Sequence, residues 1–201
     1  MARPVIQPEV ELVDVGEVVY DDLISVEEYL RIEEASELRH EYVSGVLYAM
    51  VGATRAHHRL VRRIARLLED GAGDGPCEVA SEAVKVRASM AQIYYPDIVV
   101  TCDPADDHEL MIVSPCLITE VLSPSTAAFD RREKGAAYRQ ITSLRSYLVV
   151  WQHEQRIQHF WRDDDDRWHV EFLTDGEIEL RCPPMRLALA DVYSGLLPEP
   201  E

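Results

Sequence analysis

Two carboxylates interrupt apolar, strand-like runs of this chain. Asp97 follows Tyr94-Tyr95-Pro96 and opens Ile98-Val99-Val100, while Glu120 falls between Ile118 and Leu122 in the run CLITEVL. A carboxylate within a buried strand is costly unless it is paired or holds a cation. If neighbouring strands bring the two within about 5 Å, their repulsion is ~3 kcal/mol at an effective dielectric of about 20. A divalent metal ion is the positive partner that relieves such a pair. The plainer alternative places either acid at a strand end or against an arginine. It suits Asp97 taken alone, since Pro-Asp steps are common in turns, and suits Glu120 less well. Downstream, Leu122-Ser123-Pro124-Ser125-Thr126 reads as a turn opening a helix at about 126–143, on which Asp130, Lys134 and Tyr138 recur every fourth residue and share a face. Lysine is scarce here, Lys85 and Lys134 against eighteen arginines. A lysine beside two acids therefore points to a use for its compact ammonium. An exposed Asp130–Lys134 pair, contributing ~0.3–0.5 kcal/mol, is the competing reading.

These residues need elements to position them. Residues 1–20 form an acidic N-terminal arm. Ser25, with Glu28 three residues on, is the capping box of a helix through Tyr29, Leu30 and Ile32. Tyr42 to Met50 reads as a hairpin broken at Ser44-Gly45. From Thr54, the residues Leu60, Ile64, Leu67 and Leu68 recur at helical spacing, ending near Gly71. Strands are expected at 77–80, 83–87, 94–102, 116–122, 147–151, 156–161 and 168–173, with Asp163 to Asp166 as a solvated hairpin turn. The pattern describes one α/β (α+β) domain over residues 21–197, a mixed central sheet flanked by helices, with 198–201 as a tail.

Composition narrows the partners. The chain has 201 residues, 47% apolar and 28% charged, with a net charge of −17. That disfavours a nonspecific nucleic-acid coat or a basic membrane-surface binder. A nucleic-acid enzyme stays open, because salt screens charge beyond about 8 Å and only the local patch must be basic. The charge is in fact segregated: residues 1–37 carry −9, residues 38–69 carry +4 and residues 129–147 carry +3. Arg55, Arg59, Arg62, Arg63 and Arg66 share the polar side of the helix after Thr54. A solvated face is the ordinary reading of such a stripe; a contact with a polyanion is the other. No apolar run approaches a membrane span, and residues 1–20 do not resemble an export signal, so the expected location is cytoplasmic. Cys77, Cys102, Cys116 and Cys182 lack metal-binding spacing and read as reduced core thiols. His57-His58 reads as a solvated or capping pair. Neither a P-loop nor a GxSxG motif is present.

Taken in order, Glu41 in HEYVSGVLY, Pro96-Asp97 in YYPDIVV, Glu120 in ITEVLSPST, then Lys134 and Tyr138, resemble the Uma-type restriction endonuclease family of the PD-(D/E)XK nuclease superfamily. The similarity runs from about Ser25 to Tyr193. It implies a restriction-endonuclease-like fold and a metal-dependent site that cleaves phosphodiesters. On this resemblance Asp97 and Glu120 are the principal Mg²⁺ (or Mn²⁺) ligands, the Val121 carbonyl completes the shell, and Glu41 is a further acid near the ion. The superfamily's usual lysine, two residues after the glutamate, is here Leu122, and Lys134 takes its place from the following helix.

The expected activity is metal-assisted endonucleolytic hydrolysis of DNA. Asp97, Glu120, Lys134 and Glu41 carry the chemistry, and Arg55, Arg59, Arg62, Arg131, Arg132 and Tyr138 face the nucleic acid. A homodimer is expected, since both strands of a duplex need a site, and a protein partner is expected to supply specificity. The alternative is a non-catalytic relative of the same fold that binds DNA or a protein.

Overall fold

The computed structural model describes residues 23–50, 52–122 and 133–197, together with the backbone of two short strands, β1 (Leu12–Val13) and β2 (Glu17–Val18). The remainder of the expected arm and the expected tail at 198–201 lie outside the described residues. Ser25 caps α1 (Val26–Ala35), its hydroxyl accepting the Glu28 amide at 3.2 Å. The hairpin of β3 (His40–Val43) and β4 (Val46–Ala49) turns at Ser44 and Gly45, whose φ angles of 50° and 93° suit a two-residue turn with the right-handed twist of the strands. Thr54 caps α2 (Arg55–Ala72), accepting the His57 amide at 3.1 Å, and the helix buries Leu60, Val61, Ile64 and Leu68 on one stripe.

Strands follow at β5 (Glu78–Ser81), β6 (Lys85–Ser89), β7 (Gln92–Tyr94), β8 (Ile98–Thr101), β9 (Met111–Ile112) and β10 (Leu117–Leu122). After the short α3 (Gly135–Tyr138) come β11 (Ser146–Trp151), β12 (Ile157–Arg162), β13 (Trp168–Leu173), β14 (Glu177–Arg181), β15 (Pro184–Ala188) and α4 (Leu189–Tyr193). They form two mixed sheets in the orders β1-β2-β4-β3-β7-β6-β9 and β13-β12-β11-β10-β8-β5, with β14 and β15 as a separate hairpin. The pairs β10–β11 and β6–β9 are parallel. The fold is therefore α+β, with mixed sheets flanked by helices, as the sequence suggests.

The expected strand at 94–102 divides in two. β7 belongs to one sheet and β8 to the other, so Tyr95-Pro96-Asp97 carries the chain between sheets. Proline cannot donate to a ladder, which makes position 96 a natural place to leave one sheet. Of the helix expected at about 126–143, residues 126–132 lie outside the described part, and α3 spans only four residues. The hairpin at 177–188 and α4 are additions to the expected elements, although Ile178 and Leu180 alternate with Glu177, Glu179 and Arg181 at the period of a half-buried strand. The Asp163–Asp166 turn forms as expected, the Asp163 carboxylate accepting the Asp165 and Arg167 amides at 2.9 Å each.

The α2 stripe packs on Ile98, Val100, Leu117, Val121, Leu148 and Val150 of the second sheet, and on Ile178, Leu187 and Val192. α2 approaches β15 so closely that a Cβ at Gly71 would collide with the Met185 sulfur. The opposite face of that sheet, Val99, Ile118, Leu122 and Val149, packs on Tyr94, Tyr138 and Tyr147. Alternation along β10 thus sends Leu117 and Val121 toward α2, and Ile118 and Leu122 toward the tyrosines.

The expectation of reduced core thiols is corrected by the fold, which holds the four cysteines as two disulfides. Cys77 precedes β5 and Cys102 follows β8, so the Glu78–Thr101 pairing sets them opposite each other; Cys116 precedes β10, and Cys182 lies in the β14–β15 turn. All four meet in one cluster, paired as Cys77–Cys102 and Cys116–Cys182.

His159 on β12 is 2% exposed, with Nε2 3.2 Å from the Ser146 hydroxyl and Nδ1 3.0 Å from Glu171. Burial pushes its imidazole below the ordinary value and outweighs the pull of Glu171. The unfolded chain therefore takes up this proton at a higher pH than the folded one, and stability falls as pH drops below about 6.5. Denaturant melts between pH 7 and 5 should show the His159→Gln variant losing less stability than the parent over that window; parallel curves would contradict the assignment.

Candidate active site

The two sheets meet where the acids lie. Continuing the β8–β10 register, in which Ile98 faces Thr119, sets Asp97 opposite Glu120, and directly opposed residues of an antiparallel pair have Cβ atoms about 4.5–5.5 Å apart. The Asp97 carboxylate accepts the Val121 amide at 2.7 Å, which ties the crossover to β10. Glu41 comes from the other sheet, on β3, and accepts the Tyr95 amide at 3.2 Å, next to the Pro96-Asp97 step.

Lys134 reaches across this junction from just before α3. Its Nζ lies 2.7 Å from Glu41 Oε1 and 3.5 Å from Glu120 Oε1. Lys134, Glu41 and Glu120 are 6%, 6% and 3% exposed, so the ammonium is a buried partner of both acids and not half of an exposed helix pair. Asp97, with 19% side-chain exposure, opens the site to solvent. The Tyr94 ring stands 5.9 Å from the ammonium, and burial together with the Glu41 charge pushes its phenol up to about 12.

Tyr138 requires a correction. Expected to face nucleic acid, it is 0% exposed, wedged between Tyr94 and Tyr147 at centroid distances of 5.5 Å each, and its hydroxyl donates to Glu120 Oε1 at 2.9 Å. Burial, then the charges of Glu120 and Glu41, push its phenol well above the ordinary value, so it remains a donor. The residue positions Glu120 from behind. Periodicity puts Lys134 and Tyr138 on one face correctly; that this face turns inward follows from α3 packing on the sheet.

His57 is a second correction. His58 is exposed beside Glu82, but His57 is buried and its Nε2 donates to Asp97 Oδ2 at 3.1 Å. Burial pushes the imidazole down, but the hydrogen bond and charge of Asp97 outweigh it, and the net shift is upward. The available signal is its position ahead of the buried stripe that starts at Leu60 and Val61, where i and i+3 share a face. Glu33 on α1 carries no such signal. It accepts the Tyr95 hydroxyl at 2.8 Å and the His40 amide at 3.0 Å, bracing the backbone that reaches Glu41. Burial raises the Glu33 pKa, but the bonds from His40 and Tyr95 prevail and hold it below the usual carboxylate range.

Among the expected nucleic-acid contacts, Arg55, Arg59 and Arg62 are exposed on α2, whose N-terminal turn carries His57 to Asp97. Arg63 instead donates to the Asp191 carbonyl and ties α2 to α4. Arg131 and Arg132 lie outside the described residues. Val121 contributes its amide to Asp97, and its side chain is buried under α2. Asp97, Glu120 and Glu41 set three carboxylates against the one ammonium of Lys134. That all-oxygen donor set and its negative excess fit a hard divalent cation.

Removing the ammonium should expose its structural weight. Lys134→Met is expected to cost about 3 kcal/mol of unfolding free energy, because two buried carboxylates lose their cation. Adding Glu120→Gln to Lys134→Met should recover part of that loss in denaturant melts. A further loss from the second substitution would contradict the ion-pair reading.

Comparison with known proteins places this geometry among relatives. The family described as "Putative restriction endonuclease" (Uma2) matches residues 26–190. Two proteins of Synechocystis sp. (strain ATCC 27184 / PCC 6803 / Kazusa) are similar along most of their length. The uncharacterized protein slr1290 is 35% identical over 176 residues, 86% of this chain and 93% of that protein. The uncharacterized protein sll1609 is 30% identical over 169 residues, 82% and 96% respectively. The crystal structure of a "putative nuclease belonging to DUF820" from Anabaena variabilis ATCC 29413 shares the fold, with a TM-score of 0.72 at 16% identity, over 87% of this chain and 99% of that one.

Proposed function

We propose, since the chain belongs to the Uma2 restriction endonuclease family, that it is a nuclease hydrolysing phosphodiester bonds of DNA with the help of Mg²⁺ or Mn²⁺. The observation carrying this reading is the convergence of Glu41, Asp97, Glu120 and Lys134 at the junction of the two sheets. Asp97 and Glu120 would hold the ion with the Val121 carbonyl, and Glu41 through water. When bound, such an ion polarises the scissile phosphate and lowers the pKa of an attacking water.

The chain's own residues supply the rest. The Lys134 ammonium, held between Glu41 and Glu120, offers a fixed cation to the charge that develops on the phosphate oxygens. Tyr138 fixes the rotamer of Glu120, while His57 and the Val121 amide fix Asp97. Preorganisation of this kind matters because an error near 1 Å in such a group costs about 100-fold in rate. Arg55, Arg59 and Arg62 line the approach along α2 and would contact the backbone, with Arg131 and Arg132 joining them. The net charge of −17 keeps nonspecific affinity low, which fits a cytoplasmic homodimer that takes its specificity from a protein partner.

Nicking of plasmid and of single- and double-stranded oligonucleotides with Mg²⁺ or Mn²⁺ tests the reading. Cleavage should depend on metal and fall at least about 100-fold in Asp97→Ala and Glu120→Gln. Equal cleavage by these variants would sink it. No calorimetric Mn²⁺ binding at Asp97 and Glu120, together with no cleavage, would instead favour a non-catalytic binding module. Tyr138→Phe should weaken Mn²⁺ affinity by about 10-fold. Replacing Arg55, Arg59 and Arg62 with Gln should lower DNA affinity alike across sequences. The salt slope should shrink by about one unit for each of these arginines that pairs with a phosphate.

A further inference from the structure

The four cysteines form a second constellation, remote from the acids. Cys102 directly follows β8 and Asp97 directly precedes it, so about five residues of extended chain, roughly 17 Å, separate the two. The cysteines stand at positions 77, 102, 116 and 182, each at a strand end or turn. No other cysteine occurs in the chain. Convergence of all four from such distances needs a reason.

Their sulfurs form one group, not two separate bridges. Besides its bond to Cys77, Cys102 Sγ lies 3.0 Å from Cys182 Sγ and 3.6 Å from Cys116 Sγ. The sulfurs of Cys77, Cys102 and Cys182 all lie within 4.8 Å of one another, and Cys116 is bonded to Cys182. Four thiolates around one zinc at Zn–S ≈ 2.3 Å stand roughly 3.8 Å apart in a tetrahedron. The unbonded separations of 3.0 and 3.6 Å already lie near that spacing, and the backbone beneath the sulfurs is held. The Cys116 amide donates to Val100 at 2.7 Å, and the Arg145 and Ser146 amides converge on the Cys116 carbonyl.

We infer that, in the reduced protein, Cys77, Cys102, Cys116 and Cys182 bind one structural zinc ion as a tetrathiolate. Binding releases four thiol protons and needs no oxidant, whereas forming both disulfides removes four electrons and four protons to an oxidant. A complete set of four protein ligands leaves no open position for substrate, so the ion holds structure and does no chemistry. It fastens the β14–β15 turn, through Cys182, to the ends of β5, β8 and β10 beneath α2. The spacing that speaks against zinc along the sequence does not bear on this site, because each ligand comes from a different part of the fold.

The test uses the full chain purified under reductant. Atomic absorption should find about one zinc per chain, retained in Asp97→Ala and lost in Cys102→Ser. After mild chelation, Co²⁺ should restore the near-ultraviolet thiolate charge-transfer and the intense visible bands of tetrahedral sulfur ligation. The cobalt spectrum needs no cysteine variant, so it holds even if Cys102→Ser misfolds. Four free thiols with no zinc and no cobalt–thiolate bands would overturn the inference. So would disulfides that persist in reductant with no metal taken up. Zinc lost together with Asp97 would move the ion to the acidic site and overturn it equally.

Discussion

The structure turns on one buried ammonium. Lys134 stands between Glu41 of the first sheet and Glu120 of the second. Without it, carboxylates from two sheets would meet in a region where burial alone disfavours each of their charges. Sheet packing ordinarily relies on apolar side chains, and both clusters flanking the second sheet are apolar. At their meeting line the chain instead accepts the cost of dehydrating charge. Replacing such a network by hydrophobic residues is often neutral or stabilising, so stability alone does not account for its presence. The proposed function offers a chemical use for it, and the supporting bonds are consistent with one. Tyr138 serves Glu120, Tyr95 serves Glu41, and His57 with the Val121 amide serves Asp97.

What can be read in the sequence follows from the range of each interaction. Ser25 and Thr54 act on amides three residues away, so both helix starts are visible. The Ser44-Gly45 turn is a two-residue event and is equally plain. The acids stand out because a charge inside an apolar run is a local anomaly. Lys134 is legible through scarcity and spacing, but its burial is not, since that depends on how α3 lies against the sheet. Tyr138 misleads for the same reason: the period gives a face, and the fold decides which way it points. His57 contacts Asp97 across 40 positions of sequence and the cysteines pair across intervals of 25 and 66. No window of sequence contains those contacts. The division of 94–102 shows a related limit, because a Pro-Asp step marks a break without saying that the chain changes sheets there.

The net charge bears on the function differently once the parts are placed. Acidic surplus lies largely in residues 1–37, which carry −9 of the −17. The arginines of α2 are split by the fold into two sets. Arg63 is drawn into a structural bond with the Asp191 carbonyl, and Arg55, Arg59 and Arg62 remain exposed. Because screening confines each charge to about 8 Å, a phosphate reaching Asp97 on the proposed reading would respond to the charges near its own path more than to the chain's total. The net charge still acts on the encounter itself, slowing association with any polyanion that lacks a specific reason to dock. On the proposed function, a chain built in this way would bind weakly at random and hold its chemistry in a small, preorganised junction. Selection of a target would then fall to whatever brings the substrate to the α2 face.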